Sequence, residues 1–178
     1  MIISRTPFRI SFFGGGTDFP DWYNRYSGKV ISTTIDKYCY ISLRKLPPFF
    51  KYKYRIRYFN KEEVKNISQI KHLSVRESLK HFKYNESLEA IHFADLPAQS
   101  GLGASSSFTV GFINGLKALQ GKRISKKNLF IEAIYVEQKR IKEIVGSQDQ
   151  VSAAFGGFNI INFSKNSVEV SPVINNKN

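Results

Sequence analysis

Two glycines and three serines in the run Pro97-Ala-Gln-Ser-Gly-Leu-Gly-Ala-Ser-Ser-Ser107 are the residues of this chain best suited to chemistry, and that chemistry is the holding of a phosphate. Gly101 and Gly103 can take positive φ and carry no side chain. Successive backbone N–H groups can therefore close on an anion at the positive end of a following helix. Ser105, Ser106 and Ser107 add hydroxyls that can cap the helix, meet a phosphate or bind a metal ion. Neither common glycine fingerprint fits. A Walker A loop needs Lys and then Ser or Thr after its last glycine, and the chain has no Gly-Lys-Ser or Gly-Lys-Thr. A dinucleotide fingerprint needs a third glycine where Ser106 stands. Taken alone, the run also suits a plain turn before a serine-capped helix.

A strand must deliver this loop and a helix must receive it. Residues 87–95 read as the strand, with Leu88, Ala90, Ile91 and Phe93 ahead of the turn signal at Pro97. Residues 104–120 read as a central helix, apolar or small nearly all round, which Gly121 ends. Ser125 caps a second long helix that runs to about Val145, and Gly146 stops it. A short helical piece at 148–155, the turn Gly156-Gly157 and a strand at 158–163 follow. Upstream the chain is β-rich, with strands at 2–13, 29–34 and 36–44. Gly14-Gly-Gly-Thr-Asp18 breaks the first of these, and Pro47-Pro48 closes the third. Residues 52–59 alternate like an exposed strand, 61–83 suggest short helices, and the tail at 175–178 looks frayed. Strands first, then strand, helix, helix and strand, suit an α+β domain with helices on one face of its sheet.

At 178 residues, 42% of them hydrophobic and including 15 Phe and 9 Tyr, the chain can build one sizeable core. A single cysteine excludes an intrachain disulfide and a multi-cysteine zinc site, and suggests a reducing compartment. Cys39 reads as a small buried hydrophobe. No apolar run approaches the roughly 20 residues needed to span a bilayer. Arg5 and Arg9 interrupt the only stretch that could serve as a signal peptide, so a cytoplasmic protein without a membrane partner is expected. The net charge of +13 is uneven, with Arg44, Lys45, Lys51, Lys53, Arg55 and Arg57 clustered and Tyr52, Tyr54 and Tyr58 interleaved. That pattern would suit base stacking along a strand. An edge strand protected by charge explains it too, and on that reading no nucleic-acid partner is expected.

With the loop placed between strand and helix, Pro97-x-x-x-Gly-Leu-Gly-x-Ser-Ser106 resembles the phosphate-binding motif of the GHMP kinases. Arg5-Thr-Pro-Phe-Arg-Ile-Ser-Phe-Phe-Gly-Gly-Gly-Thr-Asp18 resembles the amino-terminal substrate motif of the family's sugar-phosphate branch. Gly146-Ser-Gln-Asp-Gln150, followed by Ala153-Ala-Phe-Gly-Gly-Phe158, resembles the segment holding that branch's catalytic aspartate. The nearest likeness is to members acting on heptose 7-phosphates. The resemblance implies the family's amino-terminal fold, which is like domain 2 of ribosomal protein S5, with a mixed sheet. It implies ATP and Mg2+ as cofactors, and transfer of phosphate to a hydroxyl, the anomeric one by likeness, of a phosphorylated sugar.

Carried over by position, the resemblance implies that Pro97, Gly101, Leu102, Gly103, Ala104, Ser105 and Ser106 wrap the nucleotide phosphates. Ser105 and Glu137 would complete the Mg2+ site, Asp149 would draw the proton from the accepting hydroxyl, and Arg9, Gly16, Thr17 and Asp18 would contact the sugar. The physical chemistry of phosphoryl transfer agrees, since it asks for positioning, a metal between phosphates, and a carboxylate free of the metal to act as base. Each carboxylate also has a simpler use. Asp149 could cap the helix after Gly146, Glu137 could pair with Arg140 one turn along, and Asp18 could stabilise the glycine turn.

Two departures from the family pattern stand out. Ala104 replaces a common Ser or Thr, removing one hydroxyl from the loop. The family's usual second half does not follow residue 163. The expected organisation is a domain at 1–165 and, at 166–178, a tail or the start of a missing domain, so that the chain is a fragment or a truncated product. An apolar sheet face left open by that absence, and self-association through it, are expected. The competing function is a non-catalytic nucleotide- or RNA-binding domain.

Overall fold

A computed structural model describes residues 1–173 of the chain. Its strands and helices are β1 (Ile2–Phe13), α1 (Pro20–Tyr26), β2 (Gly28–Arg44), β3 (Tyr54–Arg57), β4 (Lys61–Val64), α2 (Leu73–His81), β5 (Leu88–Ala94), α3 (Ala104–Leu119), α4 (Lys126–Ile134), α5 (Gln148–Phe155), β6 (Phe158–Phe163) and β7 (Val168–Pro172). The strands form one mixed sheet in the order β4-β3-β5-β2-β6-β7, with β1 on the other side of β2. Only β3 and β5 are parallel, from Tyr54 opposite Leu88 to Arg57 opposite Ile91.

The long strand β2 organises the sheet. One of its edges pairs with β1 from Ile2 opposite Leu43 to Phe13 opposite Ile31, with register shifts after Pro7 and after Ser11. Its other edge is shared, residues 28–33 going to β6 and residues 39–44 to β5. Between these partners, Thr34 N donates to Gly157 O and Asp95 N donates to Tyr38 O, so the chain leaving β5 and the chain entering β6 diverge here.

The helices cover one sheet face, as the α+β pattern requires. Alternate residues Cys39, Ile41 and Leu43 of β2 meet Phe112 and Leu116 of α3 in the main core. Gly111 lets α3 lie close, since a Cβ there would come within 2.6 Å of Thr6 Oγ1. Val110, Ile113, Leu129, Ala133 and Val136 join α3 to α4 and to the turn that continues it. Val30, Phe130, Val151, Ile161 and Phe163 hold α5 against the sheet. Each large apolar side chain buried there stabilises the fold by roughly 1.5–3 kcal/mol, so α5 is a rigid support. The opposite face is open. Ile3 is 62% exposed there and Phe93 59%, but Arg5 and Arg44 are exposed as well, so the face is mixed rather than the continuous apolar surface expected from the sequence. No described helix is long and apolar enough to cross a membrane.

The structure corrects several expectations. Strands at 29–34 and 36–44 are one strand, and α1 occupies a stretch the sequence left unassigned. Residues 61–83 begin with a strand rather than a helix, because Glu62 lies on the inner face. Its carboxylate accepts the Lys71 and His72 amides and the Tyr58 hydroxyl. The helix expected to reach Val145 stops being α-helical at Ile134, continues as a π-helical turn over Tyr135–Ile141, and ends where Lys142 takes φ +65°. The basic strand β3 is not an edge, since β4 shields it from solvent on that side. Residues beyond 165 are not all tail, for Val168 and Val170 pack inward and β7 pairs with β6. The fraying expected at 175–178 lies outside the described residues.

Candidate active site

The loop after β5 curls back to the middle of β1, where Arg9 N donates to Leu102 O at 3.1 Å. Gly103 stands at the N-cap of α3 with φ +78°, and no side chain caps the helix. The Ala104, Ser105 and Ser106 amides therefore lack carbonyl partners within the helix and form an anion-binding end. Ser107 fixes that end, donating its hydroxyl to Pro7 O at 2.9 Å. Leu102 packs into the core behind the loop. Pro97 precedes the turn and lines neither of the cavities beside it.

A cavity of about 420 Å3 opens at this helix end, and Arg9, Asp18, Ser105, Ser106, Glu137 and Asp149 all line it. Residues that lie far apart in sequence thus converge. Arg9 bridges them, donating from Nε to Asp149 Oδ1 at 2.7 Å and from Nη1 to Gly101 O at 2.8 Å. Asp149 sits in the first turn of α5 with its carboxylate on Arg9, not on a helix cap. Burial pushes its carboxyl above the ordinary aspartate range, Arg9 opposes the rise, and nearby Asp18 adds to it. A proton acceptor held this way is more basic than a free aspartate.

Asp18 is fully buried, with Oδ1 accepting from Gly16 N and Oδ2 from Gln148 N, each at 3.0 Å. It stabilises its turn and also ties that turn to the start of α5. Gly146 is required beside it, because a Cβ there would lie 2.0 Å from Asp18 Oδ2. Gly16 and Thr17 stand back from the cavity. The Thr17 hydroxyl is spent on Gly14 O at 2.7 Å and on the Lys29 amide at 3.1 Å.

Glu137 is fully buried and lies in the π-helical turn, where the widened backbone swings it toward α3. Ser106 Oγ donates to its Oε2 at 2.9 Å, and Gln150 Nε2 donates to the same oxygen. Its Oε1 is buried without a partner, and burial pushes the carboxyl above its ordinary range. The expected pairing of Glu137 with Arg140 does not form, since Arg140 meets Glu77 instead. Ser105, one residue earlier and exposed, lines the same cavity without touching Glu137.

The cavity's charge bears on a metal. Its lining has one cation, Arg9, against Asp18, Glu137, Glu143 and Asp149. Glu143 is also pushed up by burial. Among the described residues no trio of His, Cys, Asp or Glu converges on a metal position. Mg2+ needs only one or two carboxylate ligands when phosphate oxygens and water supply the rest. The unpartnered Glu137 Oε1 and the hydroxyls of Ser105 and Ser106 fit that demand.

A second, apolar cavity of about 240 Å3 adjoins the first and shares Gln99, Ala104 and Ser105 with it. Its walls include Phe8, Tyr58, Phe59, His72 and Phe108. His72 stacks on Phe108 at 4.4 Å, and burial holds its imidazole down at about 4, so it is neutral near pH 7. Sequence reasoning missed this cavity and Gln150. Glu62, an acidic residue opposite Ile56 in β4 whose carboxylate takes the Tyr58 hydroxyl, was the available signal for the first, while nothing local marks Gln150.

Residues 70–157 match the family model described as the GHMP kinases N terminal domain. The chain is 30% identical to D-glycero-alpha-D-manno-heptose 7-phosphate kinase of Campylobacter jejuni, with 97% of this chain and 54% of that protein covered. It spans about half the length of that curated relative. A crystal structure of a D-glycero-D-manno-heptose 1-phosphate kinase from Bacteriodes thetaiotaomicron superposes with a TM-score of 0.86 at 24% identity, covering 98% of this chain and 60% of the other. Mevalonate kinase from Methanococcus jannaschii gives 0.73 at 16% identity, covering 98% and 56%. Likeness at such identity shows a shared fold.

Proposed function

We propose that this chain, which carries a GHMP kinase amino-terminal domain, is the nucleotide-binding portion of an ATP- and Mg2+-dependent kinase acting on a heptose phosphate or a related sugar phosphate. One observation supports this most: an anion-binding helix end, a buried carboxylate with a free oxygen and a separate basic carboxylate share one cavity.

The adjoining cavities divide the nucleotide. Phosphates would lie against the Ala104, Ser105 and Ser106 amides, and the base between the aromatic walls formed by Tyr58, Phe59 and Phe108. Glu137, with Ser105 or Ser106, would hold Mg2+, whose charge offsets that of the phosphates during transfer. Asp149 is the base. It takes the proton of the accepting hydroxyl as that oxygen bonds to the terminal phosphorus and the bond to the ADP oxygen breaks. Arg9 keeps the Asp149 carboxylate oriented and ionised while bracing Gly101. Asp18 would accept a hydrogen bond from the sugar with the lone pairs its backbone donors leave free. Gly16 and Thr17 shape its turn rather than touch the sugar.

The test is ADP release from ATP with heptose 7-phosphate, heptose 1-phosphate and other sugar phosphates. It is run on this chain and on a fusion that appends the remaining length of the Campylobacter relative. Sugar-dependent release that needs Asp149 supports the reading. Release indifferent to the sugar, or none from either protein, contradicts it.

A further inference from the structure

The end of β5 away from the phosphate loop borders a cavity that phosphoryl transfer does not use. It has a volume of about 810 Å3, and its walls include Lys45, Lys51, Lys53, Lys65, Phe50 and Tyr52, with no carboxylate. Ser87 lines this cavity, whereas Leu96 lines the apolar pocket beside the phosphate loop. The intervening strand spans roughly 20 Å or more, so one nucleotide cannot serve both.

The rings are held in place from within the sheet. The Arg55 guanidinium lies 4.4 Å from the Phe50 ring centroid and 4.9 Å from that of Tyr52. Arg55 is fixed in turn by Glu63 at 3.1 Å and by Glu89 at 3.0 Å. Glu89 is only 4% exposed and also takes Arg44. Phe50 and Tyr52 stack with centroids 5.3 Å apart, and Phe49 follows 4.5 Å from Phe50, itself 77% exposed. Glu63 and Glu89 are taken by arginines. Lys45 meets Glu86, while Lys51, Lys53 and Lys65 have no ion-pair partner among the described residues.

Lysines alone would attract any anion. A fixed row of rings among them favours an anion that carries flat, unpaired bases, because a duplex hides its base faces and a lipid headgroup has none. We propose that this groove binds single-stranded nucleic acid, with bases stacked on Phe50 and Tyr52 and on the exposed Phe49 just beside its lining, and phosphates against the lysines. This second activity does not rest on the kinase reading, and either can fail alone.

The test is fluorescence anisotropy of the full chain with a labelled oligouridylate of about twelve nucleotides, a length within the range such grooves cover. Binding should weaken with salt, with a log–log slope of about −2 to −3 for three or four contacted phosphates. The exposed double variant Lys51→Glu with Lys53→Glu should bind roughly tenfold or more weakly, with a flatter slope. Phe49→Ala should lose about tenfold at an unchanged slope. Excess ATP with Mg2+ should leave the RNA bound. The proposal is overturned by absence of binding at low salt, by displacement with ATP, or by a Phe49→Ala protein that binds as tightly as the parent. Equal or tighter binding of a duplex of the same length, or of phosphatidylserine vesicles, overturns it as well.

Discussion

The two ends of β5 have opposite electrostatics. The end leading into the glycine loop at 97–103 opens on a cavity with one guanidinium and four carboxylates, while the other end borders a groove with four lysines and none. The net charge of +13 is therefore not collected where the glycine loop lies. On the proposed kinase reading, backbone amides of a helix end and a cation held by Glu137 would do the work there, and local field would count for more than total charge. Arginines behave differently at the two ends as well. Arg9 and Arg55 are both locked by carboxylates, but Arg9 leaves a basic Asp149 facing the cavity, whereas Arg55 presents rings.

The sharpest way to break this contrast is at Asp149. If it is the base, Asp149→Asn should lower turnover by roughly 10²–10⁴-fold with little change in ATP affinity, measured by ADP release and by nucleotide titration. Loss of affinity with turnover intact would make it a binding residue instead. Next in size is the charge reversal at Lys51 and Lys53. It should cost RNA binding roughly tenfold and leave ATP binding unaltered; equal losses in both would mean that the two ends are one electrostatic site.

A smaller effect is expected at Glu137 without metal. Burial holds its folded carboxyl above the unfolded value of about 4.3, so folding takes up a proton. The metal-free fold is then most stable below that value and weakens as pH rises through the raised one. Glu137→Gln should raise the melting temperature at neutral pH by a few degrees and flatten its pH dependence. A lower melting temperature would mean that the carboxylate is needed for packing rather than for a ligand. The smallest effect is a displacement along the pH axis. Turnover should fall as pH drops through the raised pKa of Asp149, above the ordinary aspartate value of about 3.9. Because Arg9 holds that pKa down, Arg9→Met should move the acid limb to higher pH; an unmoved limb would leave Arg9 as a brace for Gly101 alone.

What could be read from the sequence was what local chemistry dictates. Gly101 and Gly103 between an apolar strand and a long helix specify the loop from their own neighbourhood, and α3 begins where the serines say. The approach of Asp18, Glu137 and Asp149 to one cavity was legible only through resemblance, since it depends on contacts between residues far apart in the chain. The π-helical turn escaped because its sequence has ordinary helix formers, and the tertiary bonds of Glu137 to Ser106 and Gln150 accompany the widened turn. The basic segment was misplaced at an edge because charge alternation looks the same on an inner strand whose cations are paired across to Glu63 and Glu89. Ser106 rather than Ser105 touches Glu137, a distinction of one helical position that no motif spacing resolves.

On the proposed kinase reading the acidic cavity takes polyphosphate through a cation held by Glu137. Calorimetric titration of the chain with ATP, in Mg2+ and in EDTA, tests it most directly. Binding should tighten by about tenfold or more with Mg2+, the scale of a satisfied buried charge, and the gain should disappear in Glu137→Gln. Equal affinity with and without Mg2+, or a Glu137→Gln protein that keeps the full gain, would contradict it.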